Sequence, residues 1–218
     1  MKRTFKETCI RLVILLVGLS IAHLGVTLFL LAGLGADPFN VLIQGLNKLF
    51  CSATGWNWFT HGYTHASICF LIMLILLFVD RKYVKLGTLV CMAFGGPIID
   101  FFTWLLKSLV NETSPMAVRI LLVILGCIIL SFGMTIVMES DAGTGPNDLV
   151  AISISDKLHT PFGITRIVTD IVFIGIGWLL GGIFGVGTLV CACLVGAVAE
   201  RFLPLNRKWI QKTVQKMQ

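Results

Sequence analysis

The chain has 218 residues, of which 56% are hydrophobic and only 13% are charged, and its mean hydropathy is +0.93. Soluble proteins carry about 25% charged residues, so this composition excludes an ordinary soluble domain and is typical of a membrane protein. The formal net charge is +6, but lysine and arginine lie between the apolar stretches rather than in a basic patch. We therefore attribute the positive charge to membrane orientation and expect no nucleic acid as a partner.

Five apolar windows predict the transmembrane helices in chain order: residues 12–34, about 63–79, 86–106, 120–138 and 167–199. The first follows a basic N-terminus but has no charge and no clear cleavage site, so it is predicted to be a retained span rather than a signal peptide. The last window would form a helix of about 50 Å, against a hydrocarbon core of about 30 Å. Glycines at positions 181, 182 and 185 predict a turn that divides it, which gives six spans.

The loops predict the orientation. If the N-terminus is cytoplasmic, 14 of the 17 basic residues lie on the cytoplasmic side, and only Lys48, Lys107 and Arg119 lie outside. Because positively charged loops remain on the cytoplasmic side, both termini are predicted to be cytoplasmic.

The sequence also repeats itself. A shift of 108 residues superimposes the first helix and the following loop of the two halves, and a shift of 100 superimposes the third helices, where Gly-Thr-Leu-Val-Cys at 87–91 recurs at 187–191. Three spans per half is an odd number, so the second copy enters the membrane upside down. We predict an all-α polytopic membrane protein with one transmembrane domain, 1–218. Its six transmembrane helices form two inverted three-helix repeats, about 10–109 and 118–205, and a cytoplasmic basic tail follows at 206–218.

A broken segment rich in glycine and proline follows the first helix of each half, with the pattern GxGxxP in the first half. Proline at the first helical position, after Asp37 or Gly145 as N-cap, predicts a short helix at 38 to about 49 and at 146 to about 158. Each is too short to span the bilayer. Two interpretations stay open: an interfacial helix with an ordinary capped turn, or a re-entrant element whose N-terminal amides bind an anion or carboxylate.

Two acidic residues occupy matching positions in the third helices, Asp100 and Glu200. A carboxylate within the membrane costs about 2.5–3.5 kcal/mol on insertion scales, so both are functional candidates for proton or cation coupling. Glu200 precedes Arg201 and has the alternative of an interfacial position. For His23, in the middle of the first helix, the favoured role is contact with a neighbouring helix. The candidate substrate pathway consists of Asp37, Pro38, Asn40, Gly145, Pro146, Asn147, Asp148, Asp100, Glu200 and His23.

Other polar residues predict structure rather than chemistry. Arg166 and Asp170, four residues apart, predict an ion pair within a helix. His61 and His65 have metal-ligand spacing but lack a third ligand, and the seven cysteines include no CxxC pair, so no metal and no cofactor is predicted. Because no catalytic constellation is present, the protein is not predicted to be an enzyme.

These motifs resemble the YczE/YyaS/YitT group of small bacterial integral membrane proteins. The resemblance rests on residues 35–40 and 143–148, on Gly-Thr-Leu at 87–89 and 187–189, and on the segment from Gly96 to Asp100, and it covers about 10–204. The sequence departs from an even repeat in having Asn40 where the second half has Asp148, and Glu200 where the first half has Asp100. The resemblance implies a bacterial inner-membrane location, but it does not imply a particular substrate.

The leading hypothesis is a small-molecule secondary transporter that works by alternating access between the repeats. One alternative is a substrate-binding membrane subunit that needs an energising partner. Another is a regulatory or assembly membrane protein without transport of its own. The expected partners are the lipid bilayer, an unknown small-molecule substrate and a proton or cation, with homo-oligomerisation left open.

Overall fold

The computed structural model describes residues 4–56, 58–79, 81, 84–109, 114–160 and 162–217, without the side chains at 162, 163, 193, 200 and 217. Within these ranges the chain forms α-helices and no β-strand. The helices are α1 (Phe5–Ala32), α2 (Pro38–Thr54), α3 (His61–Val79), α4 (Leu86–Leu106), α5 (Met116–Glu139), α6 (Pro146–Leu158), α7 (Phe162–Leu179) and α8 (Val186–Met217). Each half of the chain therefore contributes one long helix, one short helix and two further helices.

Among the residues that the structure describes, four helices are long and apolar enough to cross a membrane: α1, α3, α4 and α5. Helix α8 joins two parts, Val186–Ala199 and Arg201–Lys216, which meet at an angle of 45° and count as a fifth span when taken together. The all-helical membrane architecture is confirmed. Of the six predicted spans, α7 is the one not among these helices, and it carries the charged Arg166 and Asp170.

The glycine turn that divides the last apolar window is confirmed, because α7 ends at Leu179 and α8 begins at Val186. Helix α8 then continues through the segment predicted as a basic tail, to Met217. Ile210 and Val214 are buried there against Ile14 of α1 and Ile136 of α5. The C-terminal segment is thus packed onto the bundle, at least through these two side chains.

Helices α1 and α5 form the centre of the bundle and approach closely through glycine. A Cβ atom at Gly25 would lie 2.6 Å from the amide nitrogen of Leu130, and one at Gly133 would overlap the amide nitrogen of Ala22. Glycine at these two positions therefore permits the close approach of the two helix backbones.

Arginines at the helix starts tie α1 and α5 together at their ends. Arg11 Nη1 donates to the carbonyl of Ser140, 2.9 Å away, and Arg119 Nε donates to the carbonyl of Ala32, 2.6 Å away. The start of each helix therefore meets the end of the other, so the two helices are antiparallel. Each arginine also satisfies a C-terminal carbonyl that has no partner within its own helix. Both the arginines and the carbonyls are separated by 108 residues.

Two buried clusters flank this central pair, and each contains residues of both halves. The shifts of 108 and 100 residues convert four members of one cluster into four members of the other. Phe29, Val123, Cys127 and Cys191 in the first correspond to Val137, Leu15, Leu19 and Cys91 in the second. The core is therefore shared between the halves and lies where they meet.

Candidate functional site

The first break places the start of α2 inside the protein. Helix α1 ends at Ala32, Gly35 takes a φ of +112° that favours glycine, and Asp37 caps α2 by accepting from the amide of Asn40 at 3.3 Å. The predicted start at Pro38 is confirmed, and residues 38–43 are buried. The helix extends to Thr54 rather than to about residue 49, because Gly55 is the residue that caps its C-terminus.

The second break has the same plan with different capping. Helix α6 occupies Pro146–Leu158, as predicted, with Gly145 at the N-cap and no side-chain capping bond. Asp148 lies in the first turn, where a negative charge is favoured, and its side chain is buried.

Each break contacts the last helix of the opposite half. The amide of Gly187 donates to the carbonyl of Leu34 at 2.8 Å, and the amide of Gly87 donates to the carbonyl of Ala142 at 3.0 Å. A Cβ at Gly35 would lie 2.5 Å from Thr188 Oγ1. The Gly-Thr start of the repeated Gly-Thr-Leu-Val-Cys sequence is therefore where the broken segments pack.

A hydrogen-bond chain leads from the first break to α3. Asn40 Nδ2 donates to Asp37 Oδ2 at 2.7 Å, which leaves Asn40 Oδ1 facing His61 Nε2 at 2.7 Å. Since an amide oxygen only accepts, His61 Nε2 must donate, and this fixes the protonated nitrogen of the ring. His61 is thus a hydrogen-bond partner of a predicted pathway residue. From the sequence, the spacing of His61 and His65 indicates only a candidate metal ligand.

In the second half, Asp148 occupies the position that corresponds to Asn40, and it belongs to a charged cluster. Arg166 on α7 donates through Nη1 to Asp148 Oδ1 and through Nε to Asp170 at 3.2 Å. Asn147 Nδ2 also donates to Asp148, at 3.1 Å. The predicted Arg166–Asp170 pair is confirmed. Asp148 as a further partner was missed, because no local pattern connects positions 18 residues apart.

Asp100 connects α4 to the start of α3. Its Oδ2 accepts from Thr60 Oγ1, and its Oδ1 accepts from the amide of Gly62 at 3.0 Å. The carboxylate thereby satisfies donors at a helix N-terminus, where its negative charge is also favoured. The side chain of its predicted counterpart, Glu200, lies outside the described part of the structure.

His23 faces a neighbouring helix, as predicted. Its Nδ1 lies 2.8 Å from the carbonyl of Leu19, and its ring meets the ring of His65 on α3 edge-on, with centroids 5.5 Å apart. The ring of His65 in turn meets that of Phe39 at 5.5 Å. His23 therefore belongs to an interior contact between α1, α2 and α3.

A cavity of about 670 Å³ opens beside His61 and Asp100. Its walls also include Lys48 and Lys107, which the charge pattern predicts to lie on the non-cytoplasmic side of the membrane. Of the ten predicted pathway residues, Asp100 lines the cavity directly. Asn40 and Asp37 connect to it through His61. The remaining lining residues are Leu30, Leu31, Gln44, Asn47, Thr60, Thr103, Trp104, Gly181 and Ile183.

The helical architecture and apolar spans thus define an integral membrane protein. The chain belongs to DUF6198, a family of unknown function, whose family model matches residues 9–204.

Three relatives agree with this membership. An uncharacterized protein of Haemophilus influenzae is 28% identical over 190 residues, which cover 87% of this chain and 82% of that protein. The uncharacterized protein YyaS of Bacillus subtilis is 26% identical over 202 residues, covering 90% and 94% of the two chains. The uncharacterized membrane protein YczE of the same organism is 28% identical over 124 residues, covering 57% and 56%. The resemblance to the YczE/YyaS group is confirmed, and no solved structure matches the chain.

Proposed function

We propose that the protein is a small-molecule secondary transporter that works by alternating access between two inverted three-helix repeats. The observation that carries the proposal is the set of reciprocal contacts between the halves. Arg11 and Arg119 bond to each other's helix ends, and Gly87 and Gly187 bond to the opposite breaks. Halves related in this way supply two arrangements of similar energy, one open to each side of the membrane.

The proposal includes α7 as a sixth span of the inner membrane, with both termini cytoplasmic. Arg166 and Asp170 would be costly against lipid, but their bonds to each other and to Asp148 reduce that cost. The first turns of α2 and α6 are buried in protein, which supports the re-entrant interpretation over the interfacial one.

The cavity supports alternating access because it occurs at one end of the bundle and its counterpart position is filled. Leu31 and Lys107 line the cavity, and the repeat shifts convert them into Glu139 and Arg207. These two form an ion pair through three contacts, of 2.9, 3.1 and 3.2 Å. We interpret this arrangement as a state open on the outer side and closed on the cytoplasmic side.

The interior charges support coupling to a proton or a cation. Arg166 pairs with Asp148 and Asp170, whereas Asp37 accepts hydrogen bonds from the neutral Asn40. Three acidic groups and one basic group leave an excess of negative charge at the breaks and on α7, which a proton or a bound cation would offset.

Uptake into proteoliposomes tests the proposal. Vesicles that contain the purified protein are incubated with a bacterial metabolite extract, washed and analysed by mass spectrometry. We expect at least one metabolite to accumulate with the wild type. Asp148→Asn should reduce that accumulation by about tenfold or more, since a factor of ten needs only about 1.4 kcal/mol.

Asp141→Asn is the matched control. Asp141 lies in the same break but is exposed, pairs with Lys85 at 3.3 Å, and has a φ of 53° that asparagine tolerates. This variant should accumulate the metabolite as the wild type does. If correctly inserted wild-type protein accumulates nothing, autonomous transport is wrong. A metabolite that stays bound during purification would then favour the substrate-binding subunit.

A further inference from the structure

We infer that the cavity beside α2, α3 and α4 binds a small organic anion with an apolar body. This inference rests on the proposed function and names its substrate class. The cavity combines two lysines that form no ion pair with any described residue, an amide donor and apolar walls. These three features together match a carboxylate attached to a hydrocarbon or aromatic group.

The charge of the cavity is positive. Lys48 and Lys107 line it, and within the ranges that the structure describes neither ammonium forms an ion pair. The acidic lining residue, Asp100, already accepts hydrogen bonds on both oxygens from Thr60 and Gly62 at the start of α3. Two unpaired cations facing one capped carboxylate attract an anion.

A hydrogen-bond donor also faces the cavity. Gln44 accepts from the amide of Ile183 through Oε1, at 3.1 Å, and its NH2 group has no partner among the described residues. Asn47 differs, because its NH2 group already donates to the carbonyls of Phe59 and Thr60 and to Thr64 Oγ1. Gln44 therefore supplies a donor for a carboxylate oxygen, while Asn47 holds the wall in place.

The remaining walls are apolar and fit the body of such a ligand. Leu30, Leu31, Ile183 and Trp104 contribute them. A volume of about 670 Å³ falls within the range of roughly 300–1,000 Å³ that small-molecule sites occupy. An inorganic anion would leave these walls uncovered, so the ligand should carry an apolar group beside its charge.

Binding of benzoate, with benzamide as its uncharged analogue, tests the inference. The full chain is placed in nanodiscs of phosphatidylcholine, and titration calorimetry measures binding of each compound. We expect saturable binding of benzoate and at least about tenfold weaker binding of benzamide, because the amide lacks the charge that the lysines attract.

Variants assign the effect to the cavity. Lys48→Met and Lys107→Met should each weaken benzoate binding by about tenfold, and Lys107→Arg should restore it. Lys208→Met is the matched control, because Lys208 is exposed on α8 and does not line the cavity. It should bind benzoate as the wild type does.

Several results would overturn the inference: no saturable benzoate binding, equal binding of benzamide, or binding unchanged in both lysine variants. An anionic lipid headgroup has the same chemistry, so the titration is repeated in nanodiscs that contain phosphatidylglycerol. Loss of benzoate binding there would identify lipid as the occupant and also overturn the inference. Benzoate binding without metabolite accumulation would contradict only the proposed transport, whereas accumulation of an uncharged compound without benzoate binding would contradict only the anion.

Discussion

Two corners of the bundle differ in their contacts although the sequence repeat relates their residues. At the open corner, Leu31 and Lys107 line the cavity; at the closed corner, Glu139 and Arg207 form an ion pair. Helix α4 ends at Leu106, whereas α8 continues past the equivalent Asn206, whose Nδ2 donates to Thr135 Oγ1 at 2.7 Å. Two features therefore distinguish the closed corner from the open one: glutamate at 139 in place of leucine at 31, and an α8 that is longer than α4.

The largest expected effect concerns the contact between α1 and α5. It tests whether Gly25 and the repeat-related Gly133 contribute equally to the stability of that contact. Gly25→Ala and Gly133→Ala should each destabilise the protein by about 3 kcal/mol, because the new Cβ meets backbone atoms that cannot move aside. Thermal unfolding in detergent measures the change. Gly196→Ala is the control, since a Cβ there meets no atom within 4 Å. Tolerance of alanine at one position alone would contradict the equivalence.

The next effect concerns the interior, where the halves differ in charge. Arg166→Met removes the cation beside Asp148 and Asp170, and because Arg166 and Asp170 are partly exposed, the loss should be about 2 kcal/mol. His61→Leu removes a neutral contact to Asn40 and should cost about 1 kcal/mol.

Lys85→Met is the control for both interior variants. It breaks a pair with Asp141 in which both side chains are about half exposed, at 54% and 50%, so its unfolding free energy should stay close to that of the wild type. Equal losses for Arg166→Met and His61→Leu would show that the two interiors are energetically alike.

The smallest change in stability is expected when the residue of one corner is introduced at the other. Leu31→Glu should place a carboxylate near Lys107 and narrow the cavity, and Glu139→Leu should release Arg207. Each should change stability by less than about 1 kcal/mol, as exposed pairs do. Labelling of a Thr103→Cys reporter in the cavity by a membrane-impermeant maleimide should become slower with Leu31→Glu. Unchanged labelling would mean that the acid does not account for the closed corner.

Local physical chemistry made part of the fold predictable. Proline at a first helical position, after a capping residue or glycine, gave the starts of α2 and α6 at Pro38 and Pro146, because those preferences act within one turn. The contact between α1 and α5 through Gly25 and Gly133 became visible only in the structure. The helical structure of the C-terminal segment was not predictable from the sequence. Lysine and glutamine dominate this segment, and its buried face is formed by few apolar residues, such as Ile210 and Val214.

The candidate site was only partly predictable, for a related reason. Asp37, Asn40 and Asp148 were identified because they lie in the breaks, but their partners His61 and Arg166 belong to other helices. The contacts of Asp100 with Thr60 and Gly62 likewise join residues about forty positions apart. Such pairings depend on how the helices pack against each other. Patterns between neighbouring positions of one sequence do not indicate that packing.

The exchanged arginine contacts have a consequence for biosynthesis. The carbonyls of Ala32 and Gly33 at the end of α1 receive their hydrogen bonds from Arg119, which the ribosome adds more than eighty residues later. These two hydrogen bonds therefore form only after the start of α5 has been synthesised. We expect the end of α1 to be the part of the first half that orders last.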